Sequence, residues 1–203
     1  MNNSNNRVVI TGIGMISPLG LDTAANWEAL KAGKSGISNI TSFDVSKYST
    51  RIGGEVKGFE PTNYINRKET RRMDRFAQFA VASSLQAVKQ ANLTIDDSNR
   101  NDIGVLIGSG AGGLTTLYEQ ILNLAQNGPD RVSPFLSTMM ISDSASGQVS
   151  IILGAKGPNF CLTSACAATS SNKTANRQAG PLSSTKKHYP PREKSKNTST
   201  STS

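Results

Sequence analysis

Asn159-Phe160-Cys161-Leu162-Thr163-Ser164-Ala165-Cys166-Ala167-Ala168 is the stretch whose reading decides the fold. Phe160 to Leu162 is a short apolar run, the pattern of a buried strand. It leads into Thr-Ser-Ala-Cys-Ala-Ala, where small residues surround one thiol, Cys166. A cysteine on a sharp strand-to-helix turn points its sulfur into a cleft. Helix N–H groups there favour the thiolate and can hold an oxyanion. This is a nucleophile elbow with sulfur in place of oxygen. An inert buried thiol is the commoner fate of a cysteine between alanines, so the decision rests on what lies upstream.

Moving outward, Gly157-Pro158 turns the chain into the cysteine strand, and a helix is predicted over Asp143 to Leu153 with Gly154 at its end. Ser133 to Leu136 reads as a loop. A helix over Leu114 to Asn127 carries Leu114, Leu117, Tyr118, Ile121, Leu122 and Ala125 on one side. Before it, Ile103 to Ile107 reads as the most apolar strand. Gly108-Ser109-Gly110-Ala111-Gly112-Gly113 follows and fits G-x-G-x-x-G between a strand and a helix. That is the local form of a dinucleotide fingerprint. The ribose-binding acid expected about 20 residues on is missing, because Asp130 sits in a turn. The other reading is that these glycines let the backbone pass close to another layer or to a substrate chain.

Nearer the start, Arg7 to Thr11 reads as a first buried strand, and Gly12 to Gly20 as a tight loop. Thr23 to Ala32 is predicted as a helix capped by Asp22 and closed by Gly33, with Trp27 and Leu30 on one face. Arg51 to Phe59 reads as a second extended stretch. Asn66 and Glu69 resemble a capping box. From there Met73, Phe76, Ala77, Ala80, Ser84, Ala87, Val88 and Ala91 recur at helical spacing. Arg67, Lys68, Arg71, Arg72 and Arg75 crowd the start of this helix. They are either a solvated face or a docking patch for an acidic partner or a phosphate. Strands alternating with helices define an α/β layered domain.

The net charge of +8 is unevenly spread over the 203 residues. Thr169 to Ser203 contributes +6 of it, and the remainder is nearly neutral. The basic balance therefore gives no reason to expect nucleic acid as a partner. No apolar run is long enough to span a bilayer, so no membrane insertion is expected. Two cysteines on one strand and its turn argue against a disulfide framework and for a reduced, cytoplasmic or organelle-matrix setting. No cofactor or metal is expected. Residues 1–6 are expected to be a flexible start. Residues 169–203, rich in Ser and Thr with Leu182 and Tyr189 as the large apolar residues, are expected to be a disordered tail.

Together these pieces resemble the β-ketoacyl-acyl carrier protein synthases, the elongating condensing enzymes of type II fatty acid synthesis. Val8 to Gly20 is similar to their opening, and Ile107 to Leu114 to their third strand and glycine loop. Ser133-Pro134-Phe135 and Gly157-Pro158-Asn159 match in order and spacing, and Ser164-Ala165-Cys166-Ala167 looks like their active-site turn. The resemblance covers residues 7–168. It implies the N-terminal βαβαβ-type half of a thiolase-like five-layer α/β/α/β/α sandwich.

It further implies that Cys166 is the nucleophile, loaded with an acyl chain from acyl carrier protein before condensation with malonyl-carrier protein. Ala111 would border the acyl pocket, lined also by Phe135, Met139 and Met140. Arg67, Lys68, Arg71 and Arg72 would dock the carrier. The cysteine strand would pair across a homodimer. Beyond Ala168 the resemblance stops. The family's two catalytic histidines have no counterpart, because the one histidine here, His188, lies in the polar tail. A truncated or frame-shifted coding sequence, inactive alone, is the expectation from that departure. A non-catalytic dimerising or carrier-binding protein and a nucleotide-binding oxidoreductase are the alternatives.

Overall fold

The structure, a computed structural model, describes residues 8–164. Cys166, the expected flexible start at residues 1–6 and the expected tail at residues 169–203 lie outside the described residues.

Six α-helices and four strands are found among those residues. Helix α1 is Thr23–Lys31, and the Asp22 carboxylate accepts the Ala25 N–H at 2.8 Å. Strands β1 (Ile37–Asn39) and β2 (Ile52–Gly54) form an antiparallel pair. Helices α2 (Arg67–Thr70) and α3 (Arg75–Gln90) follow, then strand β3 (Val105–Ser109) and helix α4 (Leu114–Asn127). Helices α5 (Leu136–Met140) and α6 (Ser144–Leu153) lead to strand β4 (Asn159–Thr163).

Strands β3 and β4 run parallel, so the long segment carrying α4, α5 and α6 serves as the crossover that parallel pairing requires. The register sets Val105 opposite Asn159, Ile107 opposite Cys161 and Ser109 opposite Thr163. Helix α6 covers this pair, and α3 packs on α6. Ala77 and Ala145 are fully buried at the heart of the core, joined by Val81, Val149, Met73, Ile65 and Val105. Small side chains at these positions let the two helices approach closely.

Three expectations about elements need correction, and one about burial: β4 was expected to be a buried strand, yet its Phe160 is exposed. Val8–Ile10 forms no strand and is exposed, Val8 by 84%. A β-branched run favours extended backbone, but a strand also needs a neighbour to accept its hydrogen bonds. The single helix expected from Asn66 is two. Asn66 caps α2 through the Glu69 N–H at 3.0 Å, and Asp74 caps α3 through the Phe76 N–H at 3.2 Å. The apolar strand runs two residues later than expected, because its pairing register rather than its apolarity sets its ends.

The Trp27 and Leu30 face of α1 is exposed. The buried side chain there is Asn26, whose Nδ2 donates to the carbonyls of Gly20 and Asp22 at 2.8 and 2.7 Å. A polar residue belongs there because its NH2 finds two backbone carbonyls and its Oδ1 accepts from the Ser17 hydroxyl.

Candidate active site and carrier-docking groove

Parallel pairing brings the carboxyl ends of β3 and β4 together, the edge where open α/β sheets place their ligands. The glycine loop leaves from Ser109. The Ser164–Cys166 segment leaves from its register partner, Thr163. Ala111 stands two residues past the first strand end and is exposed. Cys161, the other thiol, sits half-buried on β4 itself, with Sγ 3.8 Å from Thr163 Oγ1.

The glycine loop is pinned against α5. The Gly113 N–H donates to the Met140 carbonyl at 2.8 Å, and Ser109 Oγ accepts the Gly112 N–H at 3.0 Å. A β-carbon at Gly112 would collide with the Met140 carbonyl oxygen, and one at Gly113 with that of Met139. The glycines are thus required by close backbone approach, the second of the two readings of this loop. Met139 and Met140 meet the loop through main chain, at the two glycines that follow Ala111.

Phe135, at the start of α5, faces a different neighbourhood. Its ring lies 5.0 Å from the Arg72 guanidinium carbon in a cation–π contact. With Arg67, Lys68, Arg71 and Arg72 it lines a concave surface of about 620 Å³. The break between α2 and α3 creates this groove. Two cations ride on α2 and two on the turn that leaves it, so all four face one side rather than spiralling round a long helix. None of the four pairs with a carboxylate among the described residues. Arg75, fifth in the run, is taken by the fold. It donates to the Val56 carbonyl at 2.8 Å and lies over the rings of Phe59 and Phe79.

Beneath the groove is a residue that sequence reasoning missed. Asp74 is only 5% exposed. Its Oδ1 accepts from Phe76 N–H, and its Oδ2 accepts from Thr116 N–H at 2.8 Å and Thr116 Oγ1 at 2.6 Å. Helix α4 has Gly113 at its N-cap position and no capping side chain of its own. One carboxylate therefore caps two helices. An aspartate at the close of the basic run was the available sign for the first cap. Nothing local announced the second.

A parallel β-pair under α6 and α3, with a glycine loop leaving the carboxyl end of β3, defines a mixed α/β protein of the thiolase-like class. Residues 5–179 match the family described as "Beta-ketoacyl synthase, N-terminal domain", and the chain belongs to that family.

It is 51% identical over 164 residues to a Synechocystis protein named 3-oxoacyl-[acyl-carrier-protein] synthase 2. It is 50% identical over 163 residues to a Staphylococcus aureus protein of the same name. These alignments cover 81% and 80% of this chain. The chain spans 39% of the length of each relative. Among solved structures, a β-ketoacyl synthase from Burkholderia phymatum superposes with a TM-score of 0.67 at 26% identity, covering 83% of this chain and 42% of that one.

Proposed function

We propose that this chain is the acyl-accepting part of a fatty-acid condensing enzyme, with Cys166 as the catalytic nucleophile. In the proposed step the Cys166 thiolate attacks the acyl thioester of a loaded acyl carrier protein. The carbon–sulfur bond to the carrier breaks and a new thioester to Cys166 forms. The carrier thiol leaves with the proton that Cys166 gave up. The Cys166 backbone N–H is one donor to the oxyanion.

Ala111 borders the acyl chain, and its small side chain admits longer ones. Met139 and Met140, on α5 beside the loop, complete the lining, whereas Phe135, expected there from the sequence, belongs to the docking groove instead. Arg67, Lys68, Arg71 and Arg72 receive the acidic carrier. The observation that carries this reading is the register of β3 on β4, which pairs Ser109, where the glycine loop begins, with Thr163, three residues before Cys166 in sequence. The names of the relatives, each an acyl-carrier-protein synthase, support the choice of carrier. The sequence holds one histidine, His188, so we assign this chain acyl acceptance and not the decarboxylative condensation.

Intact-mass analysis after incubation with acyl-loaded carrier protein tests the reading. One acyl adduct is expected, retained in Cys161→Ser and absent in Cys166→Ser. An adduct that survives Cys166→Ser overturns the assignment. Arg71→Glu with Arg72→Glu is expected to slow loading about tenfold or more, since reversed charge repels the carrier, and raised salt should weaken the wild type. Adding malonyl-carrier protein should give no sustained condensation product from this chain by itself; steady turnover would refute that part.

A further inference from the structure

We infer that Asp74 is a positioning residue that ties the glycine loop to the turn bearing the docking cations. The inference rests on the proposed function for what binds in the groove, but its structural core stands on geometry.

The groove cation Arg72, directly preceded by Arg71, is separated from Asp74 by Met73 alone, which is buried in the core. That turn is itself tied down, because Gln78 Nε2 donates to the carbonyls of Thr70 and Met73 at 3.2 and 3.0 Å. The Asp74 carboxylate then holds the first turn of α4 through Thr116, 42 residues away in sequence. Gly113, where α4 begins, lies against that carboxylate and against the carbonyls of Met139 and Met140 on α5.

A carboxylate with no spare exposure and two helix N-termini to satisfy cannot move without releasing one of them. Asparagine in its place would present an amide NH2, a donor, to one of those N–H groups. A partner that immobilises the Arg67–Arg72 turn therefore lowers the freedom of the loop carrying Ala111, by ordering the group that caps it.

Hydrogen–deuterium exchange of the full chain, with and without apo acyl carrier protein, tests this. Without carrier, Asp74→Asn should raise exchange across residues 112–117 roughly tenfold, as expected when a charge-assisted hydrogen bond is lost. Helix α6 should stay protected, and Thr116→Ser, which keeps the hydroxyl, should behave as wild type. Unchanged exchange at 112–117, or equal loosening of α6, overturns the inference.

With carrier bound, exchange at 112–117 should slow in the wild type and not in Asp74→Asn, while the variant's carrier affinity stays within about twofold, since its four cations remain. Protection that persists in the variant, or carrier bound to wild type with no slowing, also overturns it. Failure of wild type to bind carrier at all refutes the docking part of the proposed function. Asp74 is then judged on the carrier-free exchange alone.

Discussion

Glu55 shows how much one half-buried carboxylate can organise. Its two oxygens accept from the Thr41 N–H at 3.0 Å, the Thr41 hydroxyl at 2.8 Å and the Ser42 N–H at 2.9 Å, closing the loop between β1 and β2. Hydrogen bonding from the side chain and backbone of Ser42, then of Thr41, lowers its carboxyl from 4.5 to about 2. All of these donors favour the charged form. Because the folded pKa lies below the unfolded one, the carboxylate's contribution is complete above pH 4.5 and fades as pH falls through about 2. Carboxyl carbon shifts in an acid titration should place the Glu55 midpoint near 2. Glu55→Gln should remove this part of the hairpin's acid sensitivity between those limits. A midpoint in the ordinary glutamate range would mean that the clasp is open in solution.

At the scale of elements, the glycine loop makes the sharpest claim. Gly112 has φ +71° and no room for a β-carbon beside the Met140 carbonyl, whereas Gly128 has φ +82° with open space around it. Both positions penalise alanine for the left-handed backbone, by about 1–2 kcal/mol. Only Gly112→Ala must also push α5 away, so it should destabilise by roughly 1–3 kcal/mol more than Gly128→Ala. Thermal melts of the two variants decide it. Equal losses would show that the loop and α5 are not in close contact.

Punctuation of this kind is what local sequence reports well. Asp22 and Gly33 marked α1, Asn66 marked α2, and Gly154 ended α6 in the left-handed region. The break between α2 and α3 escaped because helical spacing resumes in phase across it. Met73, Phe76, Ala77 and Ala80 would share a face of one helix or of two. The pairing of Asp74 with Thr116 and the clasp of Glu55 on Thr41 and Ser42 both depend on residues a dozen or more positions apart. No window of neighbouring residues contains them. For the candidate site, the glycine loop and the run of cations stood out in the sequence, while Cys166 lies outside the described residues. That the cations form one groove with Phe135 was not, because it follows from the helix break.

Considered whole, the described chain keeps an apolar stripe uncovered. On α4, Leu114, Tyr118, Ile121 and Leu122 are exposed, Tyr118 by 65%, and the buried residue of that helix is Thr116. Helical spacing put these residues on one side of the helix, and that side looks outward. An apolar surface of this kind marks a site for another protein surface. We propose a second copy of the chain as the occupant, the homodimer that the sequence resemblance implied, with α4 at or near the interface. Sedimentation velocity over a concentration series should then show self-association. Tyr118→Lys with Ile121→Lys should shift the equilibrium toward monomer by about tenfold or more, since two buried anchors become two facing charges. The melting temperature of the monomer should hold, because neither side chain contributes to the core around Ala77 and Ala145. Wild-type chain that stays monomeric at every concentration, or a doubly substituted chain that associates as before, would place the interface elsewhere or remove it.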